Sequence, residues 1–181
     1  MSGHSKWSQI KHKKAATDAK KSKTYGKITR MIAVAVRQNG ADPNTNPALR
    51  VAIGKAKEAN MPSDNIERAI KKASGGDKEQ LEELLFEAYG PGGAALLITA
   101  ITDNTNRTTG EVKHILSKNG SKLAERGAAQ FLFTKTDKGW ESNTPLQINK
   151  DAETQLLRLF DELDEHDDVQ DFYTNAEFSE E

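Results

Sequence analysis

The 181-residue chain contains no cysteine, and that one absence removes disulfides, thiolate nucleophiles and cysteine-held zinc together. It agrees with a reducing compartment, and fold stability is expected to come from packing alone. Aromatic residues are scarce, at 6% of the chain, so the core must be built mainly from aliphatic side chains. No apolar run approaches the roughly 18–20 residues that a bilayer span requires. The start, MSGHSKWSQIKHKK, is basic but leads into no apolar stretch, unlike a secretory signal, and it is rich in lysine rather than arginine, unlike a mitochondrial presequence. A cytoplasmic protein with no membrane partner is expected. The length suits one ordinary domain or two small ones and excludes a large catalytic barrel.

What the chain has in quantity is charge, unevenly placed. The formal net charge is only −1, yet residues 1–80 carry seventeen Lys/Arg against seven acids and residues 81–181 carry nine against twenty. The first thirty residues alone hold Lys6, Lys11, Lys13, Lys14, Lys20, Lys21, Lys23, Lys27 and Arg30 against the single acid Asp18. Such a segment attracts polyanions, above all nucleic-acid phosphates, through contacts that are blind to sequence. Residues 1–22, with few apolar side chains, read as an extended basic arm that orders on binding, with Trp7 and Tyr25 available to stack on an exposed base. The expected nucleic-acid-binding set is Lys6, Trp7, Lys11, Lys13, Lys14, Lys20, Lys21, Lys23, Lys27 and Arg30. In this reading the cationic front meets the polyanion and the acidic rear half faces away. That rear half is then open to a protein partner or to self-association.

Periodicity predicts an α+β fold in two parts. A three-helix domain spans 23–76: Ile28, Met31, Ile32, Ala35 and Val36 share one face of a helix over 23–38, stopped by Asn39-Gly40. Asn46-Pro47 opens a second helix with Leu49, Ala52, Ile53 and Ala56 inward, and Ser63 caps a third with Ile66, Ala69, Ile70 and Ala73 inward. After a linker over 77–83 the period changes. Strands are predicted over 84–89, 94–101, 128–134 and 169–174, with helices after 103–108 and over 151–163 and a loop over 135–149 that holds a short strand near Trp140. Helices set between strands imply an α/β sandwich over 84–178, ferredoxin-like and of the split βαβ kind.

Several motifs carry chemistry only on a generous reading. Gly90-Pro91-Gly92-Gly93 lacks the lysine and hydroxyl of a phosphate-binding loop and reads as a type II turn. Asp103, Asn104, Asn106 and Arg107 lie where a strand gives way to a helix. They form either a plain helix cap or a site for an anion or partner. His4, His12, His114 and His166 share no ligand spacing, so no metal is expected, and no cofactor is implied. No nucleophile has a convincing base, and the carboxylates lie on an acidic surface, so no enzymatic activity is expected.

The strings GHSKW (3–7), IKHKKAATDAKK (10–21), ADPNTNPALRVAI (41–53), NMPSDNIERAI (60–70), YGPGG (89–93), TDNTNRT (102–108) and EHDDVQ (165–170) run through nearly the whole chain. In that order they resemble the YebC/PmpR family. The resemblance implies a DNA-binding transcriptional regulator in a bacterium, a non-enzymatic role in gene expression. The family also implies an alternative, since mitochondrial relatives act as translational activators and some bacterial ones serve ribosomes stalled on proline-rich sequence. The partner would then be ribosomal RNA rather than DNA. A third reading makes residues 81–181 a protein- or small-molecule-binding module with no nucleic-acid role. Typical members carry an extra α/β domain between the strand matching 128–133 and the last helix. Here only residues 135–149 bridge that gap, as in a shortened member.

Overall fold

The computed structural model describes residues 1–13, 17–76 and 80–179. Lys14, the side chains of His4, His12 and Lys13, and residues 77–79 of the expected linker lie outside the described residues. The chain divides into two compact units, one of Ala16–Glu82 with Ile101–Asp103 and one of Met1–Ala15, Glu83–Ala100 and Asn104–Glu181.

The helical unit holds α2 (Asp18–Asn39), α3 (Pro47–Glu58) and α4 (Ser63–Ser74). The first of these begins five residues earlier than periodicity suggests. Residues 18–22 have no apolar stripe, but Thr17 caps the helix by accepting from the Lys20 amide at 3.2 Å, Asp18 sits in the first turn, and Lys and Ala are good helix formers. Ile28, Ile32, Ala35 and Val36 then pack on Leu49, Ala52 and Ala56 of α3 and on Ile66 and Ala69 of α4. Asn46 ties the unit together from a fully buried position. Its amide donates to the carbonyls of Ala35 and Gly40, both at 2.8 Å, and its Oδ1 accepts from the Leu49 amide at 3.1 Å, capping α3.

The α/β unit is built on β1 (Glu82–Tyr89), β2 (Ala95–Thr102), β3 (Lys122–Leu123) and β7 (Val169–Thr174), in the order β3-β1-β2-β7. Helix α5 (Thr105–Lys118) carries the chain from β2 over β1 to β3, which is the split βαβ crossover. The β1–β2 connection is the type II turn expected of Gly90-Pro91-Gly92-Gly93: Gly92 has φ 71° and ψ 10°, and the Gly93 amide returns to the Gly90 carbonyl at 3.0 Å. Helix α6 (Lys150–Glu165) lies with α5 on one face of the sheet. Val112, Leu116, Leu156, Leu159, Phe160 and Leu163 pack there against Phe86, Leu96, Ile98 and Phe172.

The opposite face of the sheet is closed by the end of the strand expected over 128–134 and the short strand expected near Trp140. β4 (Phe133–Thr136) and β5 (Gly139–Ser142) form an antiparallel hairpin whose Phe133 and Trp140 pack with Ala129 on Ala95, Leu97 and Tyr173. Two short parallel strands follow, β6 (Leu146–Gln147) and β8 (Ala176–Glu177). The strand expected over 128–134 begins only at Phe133, because the buried Glu87 carboxylate takes the amides before it: Gly127 at 2.5 Å, Ala129 at 2.9 Å and Gln130 at 2.6 Å. Amides spent on a carboxylate cannot join a ladder, and a 3-10 turn over Gln130–Leu132 results.

The N-terminal arm is the main departure from expectation. Gly3–Lys13 is a helix, α1, capped by Ser2 and packed on α6 and β7 of the acidic unit. A Cβ built on Gly3 would lie 2.6 Å from the Phe178 ring and 2.9 Å from Thr174, so glycine is what lets α1 sit this close. The missed signal is Ser2 as cap with Trp7 and Ile10 three residues apart, hidden beneath a dense lysine count.

Candidate functional site

The expected nucleic-acid set is split between the two units. In α1, Trp7 is only 7% exposed, its ring meeting Phe172 edge-on with centroids 4.8 Å apart and its Nε1 donating to Asp161 at 3.0 Å. Burial on both sides leaves it no face for a base, so stacking by Trp7 is ruled out. Lys11 lies 4.8 Å over the same ring and pairs with Asp164 at 3.0 Å, while Lys6 donates to the Ser179 carbonyl at 2.9 Å. The front of the chain therefore rests on the acidic half instead of facing away from it. With α1 counted where it packs, the α/β unit has thirteen Lys/Arg against eighteen acids and the helical unit thirteen against nine. The helical unit keeps a net +4 and the α/β unit a net −5, a gentler contrast than that between the two halves of the sequence.

The remaining cations of the set belong to α2. Lys20, Lys23, Lys27 and Arg30 recur at spacings of three, four and three, which stacks them on one ridge, and Lys21 stands beside them. Lys20 and Lys21 are exposed, whereas Lys23, Lys27 and Arg30 are half-buried. Arg30 donates to the Ile101 carbonyl at 3.0 Å, and the Tyr25 hydroxyl donates to Asn60 at 2.9 Å, so both have protein partners already. The first turns of α2 thus gather lysines at the positive end of the helix macrodipole, with only Asp18 of opposite sign among them. For helix stability that placement is unfavourable. It suits an external anion.

The second expected site, Asp103, Asn104, Asn106 and Arg107, is drawn inward at Arg107. Asn104 accepts from the Arg107 amide at 3.1 Å and caps α5. The Arg107 guanidinium donates to Asp168 at 2.8 Å, and the Thr108 hydroxyl donates to the same oxygen at 2.7 Å. Asp168 is 3% exposed, so the anion held at this helix start is one of the chain's own carboxylates. Asp103 and Asn106 are exposed. His166 completes the network: its Nδ1 accepts from the Asp168 amide at 3.1 Å and its Nε2 lies 2.6 Å from Glu111. A nitrogen that accepts carries no proton, so Nε2 bears it and donates to Glu111.

Glu111, His166 and Asp168 are the described residues whose donor atoms lie within 4.8 Å of one another. They do not suit a metal. The proton on His166 Nε2 blocks the lone pair a cation would need, and Arg107 already supplies positive charge 2.8 Å from Asp168 and 4.0 Å from Glu111. Sequence spacing could not reveal this grouping, since Glu111 lies fifty-five positions from His166.

Comparison with known proteins divides the chain between residues 76 and 81, with most of α1 in the first part. The family model described as TACO1/YebC protein N-terminal domain matches residues 5–76, and that described as TACO1/YebC second and third domain matches 81–138. The chain belongs to the TACO1/YebC family. A relative from Fervidobacterium nodosum is 57% identical over 134 residues, covering 74% of this chain and 53% of that one. One from Desulfitobacterium hafniense is 51% identical over 160 residues, covering 88% and 63%. Both carry the name "probable transcriptional regulatory protein". The chain thus spans between about half and under two thirds of the length of these TACO1/YebC relatives. The crystal structure of a conserved hypothetical protein, Aq1575, from Aquifex aeolicus is 34% identical with a TM-score of 0.84, covering 97% of this chain and 98% of that one.

Proposed function

We propose that this TACO1/YebC chain is a non-enzymatic, cytoplasmic regulator of gene expression that binds DNA through the cationic ridge of α2. The observation that carries the reading is the exposed pair Lys20 and Lys21 in the first turn of α2, with Lys23 and Lys27 further along the helix, on a unit with net charge +4. Phosphates placed there meet lysine ammoniums and helix dipole together. The names of the relatives support transcription as the process served. Lysine lacks the planar fork that reads guanine, so the ridge supplies affinity and the target sequence is read elsewhere or by shape. Ribosomal RNA offers the same phosphates, and the test therefore uses both.

Gel-shift titrations of the full chain against a 30-base-pair DNA duplex and an RNA hairpin, repeated across a salt series, test the reading. Binding to DNA should fall linearly on log–log axes with a slope of about −0.9 for each phosphate engaged. Tighter binding to the hairpin, with the protein travelling with ribosomes on sedimentation, would move the function to translation. A flat salt response on both would remove nucleic acid altogether.

A further inference from the structure

Helix α1 is attached to the α/β unit by one buried ring and a small number of polar contacts. Trp7 enters the core edge-on to Phe172, whereas Ile10 stays half-buried and Ser5, Gln9 and Lys11 are exposed. Side-chain donors of α1 reach oxygens of the acidic unit: the Trp7 indole to Asp161 at 3.0 Å, the Lys11 ammonium to Asp164 at 3.0 Å and the Lys6 ammonium to the Ser179 carbonyl at 2.9 Å. Asp161 and Asp164 stand one turn apart on α6, as Trp7 and Lys11 do on α1, so the two helices match donor to carboxylate turn by turn. A phosphate oxygen would accept from the Lys11 ammonium in the same way. The core has its own closure apart from α1. Phe172 is also stacked on Phe160 with centroids 4.8 Å apart, and β7 is paired with β2 from Val169 to Thr174. In sequence α1 leads into α2 of the other unit, so its departure pulls no strand out of the four-stranded sheet.

We infer that α1 is an autoinhibitory element: docked on α6 it withholds Lys6 and Lys11 from nucleic acid, and released it adds them to the phosphate contacts made by α2. The inference rests on the nucleic-acid reading and gives it a control. The α6 carboxylates and the Ser179 carbonyl fill the places that phosphate oxygens would take on these lysines. Lys11 lies nine residues before Lys20, so at about 3.3–3.6 Å per residue a released α1 stays within about 30 Å of the α2 ridge, along the same duplex. What keeps α1 docked is the indole and not the charges. An exposed ion pair contributes little and is screened by salt, whereas a buried aromatic ring contributes much more. Two lysine–phosphate contacts do not offset that burial, so duplex DNA alone leaves α1 in place. Sequence-blind affinity is thereby held to what α2 supplies until another group takes the place of the indole on Phe172.

Gel shifts of the full chain on the DNA duplex across a salt series test it, comparing the parent with Trp7→Ala, with Trp7→Phe, and with Trp7→Ala joined to Lys6→Ala and Lys11→Ala. Trp7→Ala should still melt cooperatively, at a lower temperature, and its log–log salt slope should be steeper than the parent's by about 1.8, which is two phosphates at about 0.9 each. At the lowest salt its Kd should lie at least about fivefold below that of the parent. Adding Lys6→Ala and Lys11→Ala should return both quantities to the parent values. Trp7→Phe keeps a ring against Phe172 and should bind within about twofold of the parent. A folded Trp7→Ala with the slope and affinity of the parent overturns the inference and leaves the α2 reading intact. So does a gain that survives the loss of both lysines. A Trp7→Ala chain without a cooperative melt overturns it as well, since α1 would then be part of the core and not an attachment to it. Salt-dependent binding by Trp7→Ala but not by the parent would support the inference and move the interface from α2 to α1, whereas none by either would remove nucleic acid and the inference together.

Discussion

The indole of Trp7 donates to the carboxylate of Asp161 across 154 positions of sequence, at 3.0 Å, and so fixes the first helix of the chain to its last. Lys11 answers Asp164 one turn further along the same pair of helices. A front end dense in lysine is thereby held by a rear end dense in carboxylate. The energy of the attachment lies mostly in the ring, which is buried against Phe172, and little of it in the exposed ion pair.

Trp7→Ala should accordingly destabilise the α/β unit by about 3–5 kcal/mol, the usual cost of truncating a buried aromatic. Lys11→Ala should cost under about 1 kcal/mol. Urea melts followed by far-UV circular dichroism compare the two directly. Equal effects would mean that α1 is held by charge.

Much of this fold is legible in the sequence. α3, α4 and β7 follow their expected limits closely, since an apolar stripe or a capping Asn and Gly marks each one. The first turn of α2 has no stripe and rests on its local Thr17 cap. The packing of α1 and of the β4–β5 hairpin is set by partners far away in sequence: Phe172 for Trp7, and Leu97 and Tyr173 for Phe133 and Trp140. The same limit applies to the site. The lysines of α2 could be named from composition, but charge density alone could not show that Lys6 and Lys11 are engaged by Ser179 and Asp164 while Lys20 and Lys21 stay exposed. Nor could spacing show that Arg107 already holds an anion in Asp168.

Asp168→Ala removes the acceptor shared by Arg107 and Thr108 at the start of α5. Arg107 is partly exposed and regains water, so the loss should be about 1–3 kcal/mol and not the larger penalty of a sealed ion pair. A double-mutant cycle with Arg107→Ala should give a coupling of about 1 kcal/mol. Additivity of the two losses would show that the pair contributes nothing.

Glu87 sets an acid limit on the α/β unit. Burial pushes its pKa up, but the amides of Gly127, Ala129 and Gln130 and the charge of Arg126 outweigh burial and hold it below the ordinary glutamate value. Because the folded value lies below the unfolded one, its stabilising contribution is complete above about pH 4.3 and is lost as pH falls through the lowered folded value. Glu153 acts in the same direction: burial raises its pKa, while the amide of Ser179 and the charge of Lys150 more than offset that. Thermal midpoints measured from pH 7 down to pH 2 should therefore drop steeply only in the acid range, and Glu87→Gln should flatten that drop while lowering the midpoint at pH 7. An unchanged acid slope in the variant would remove Glu87 from this role.

The two groups of lysines can be separated by their effect on binding. Lys11 is committed to Asp164, and freeing it gains a phosphate contact only by giving up that pair, so Lys11→Ala should leave affinity for duplex DNA within about twofold. Lys20→Ala and Lys21→Ala remove exposed charge at the positive end of α2, and each should lower the magnitude of the log–log salt slope by about 0.9 if its lysine meets a phosphate. Their loss of affinity should be the same for unrelated DNA sequences, because an ammonium on a flexible stem contacts backbone and not base edges. Neither variant touches the packed face of α2, where Ile28, Ile32, Ala35 and Val36 lie, so melting temperature should hold while binding falls. The opposite ranking, with Lys11→Ala the more damaging, would return the interface to α1 and require that helix to leave the acidic unit before it binds.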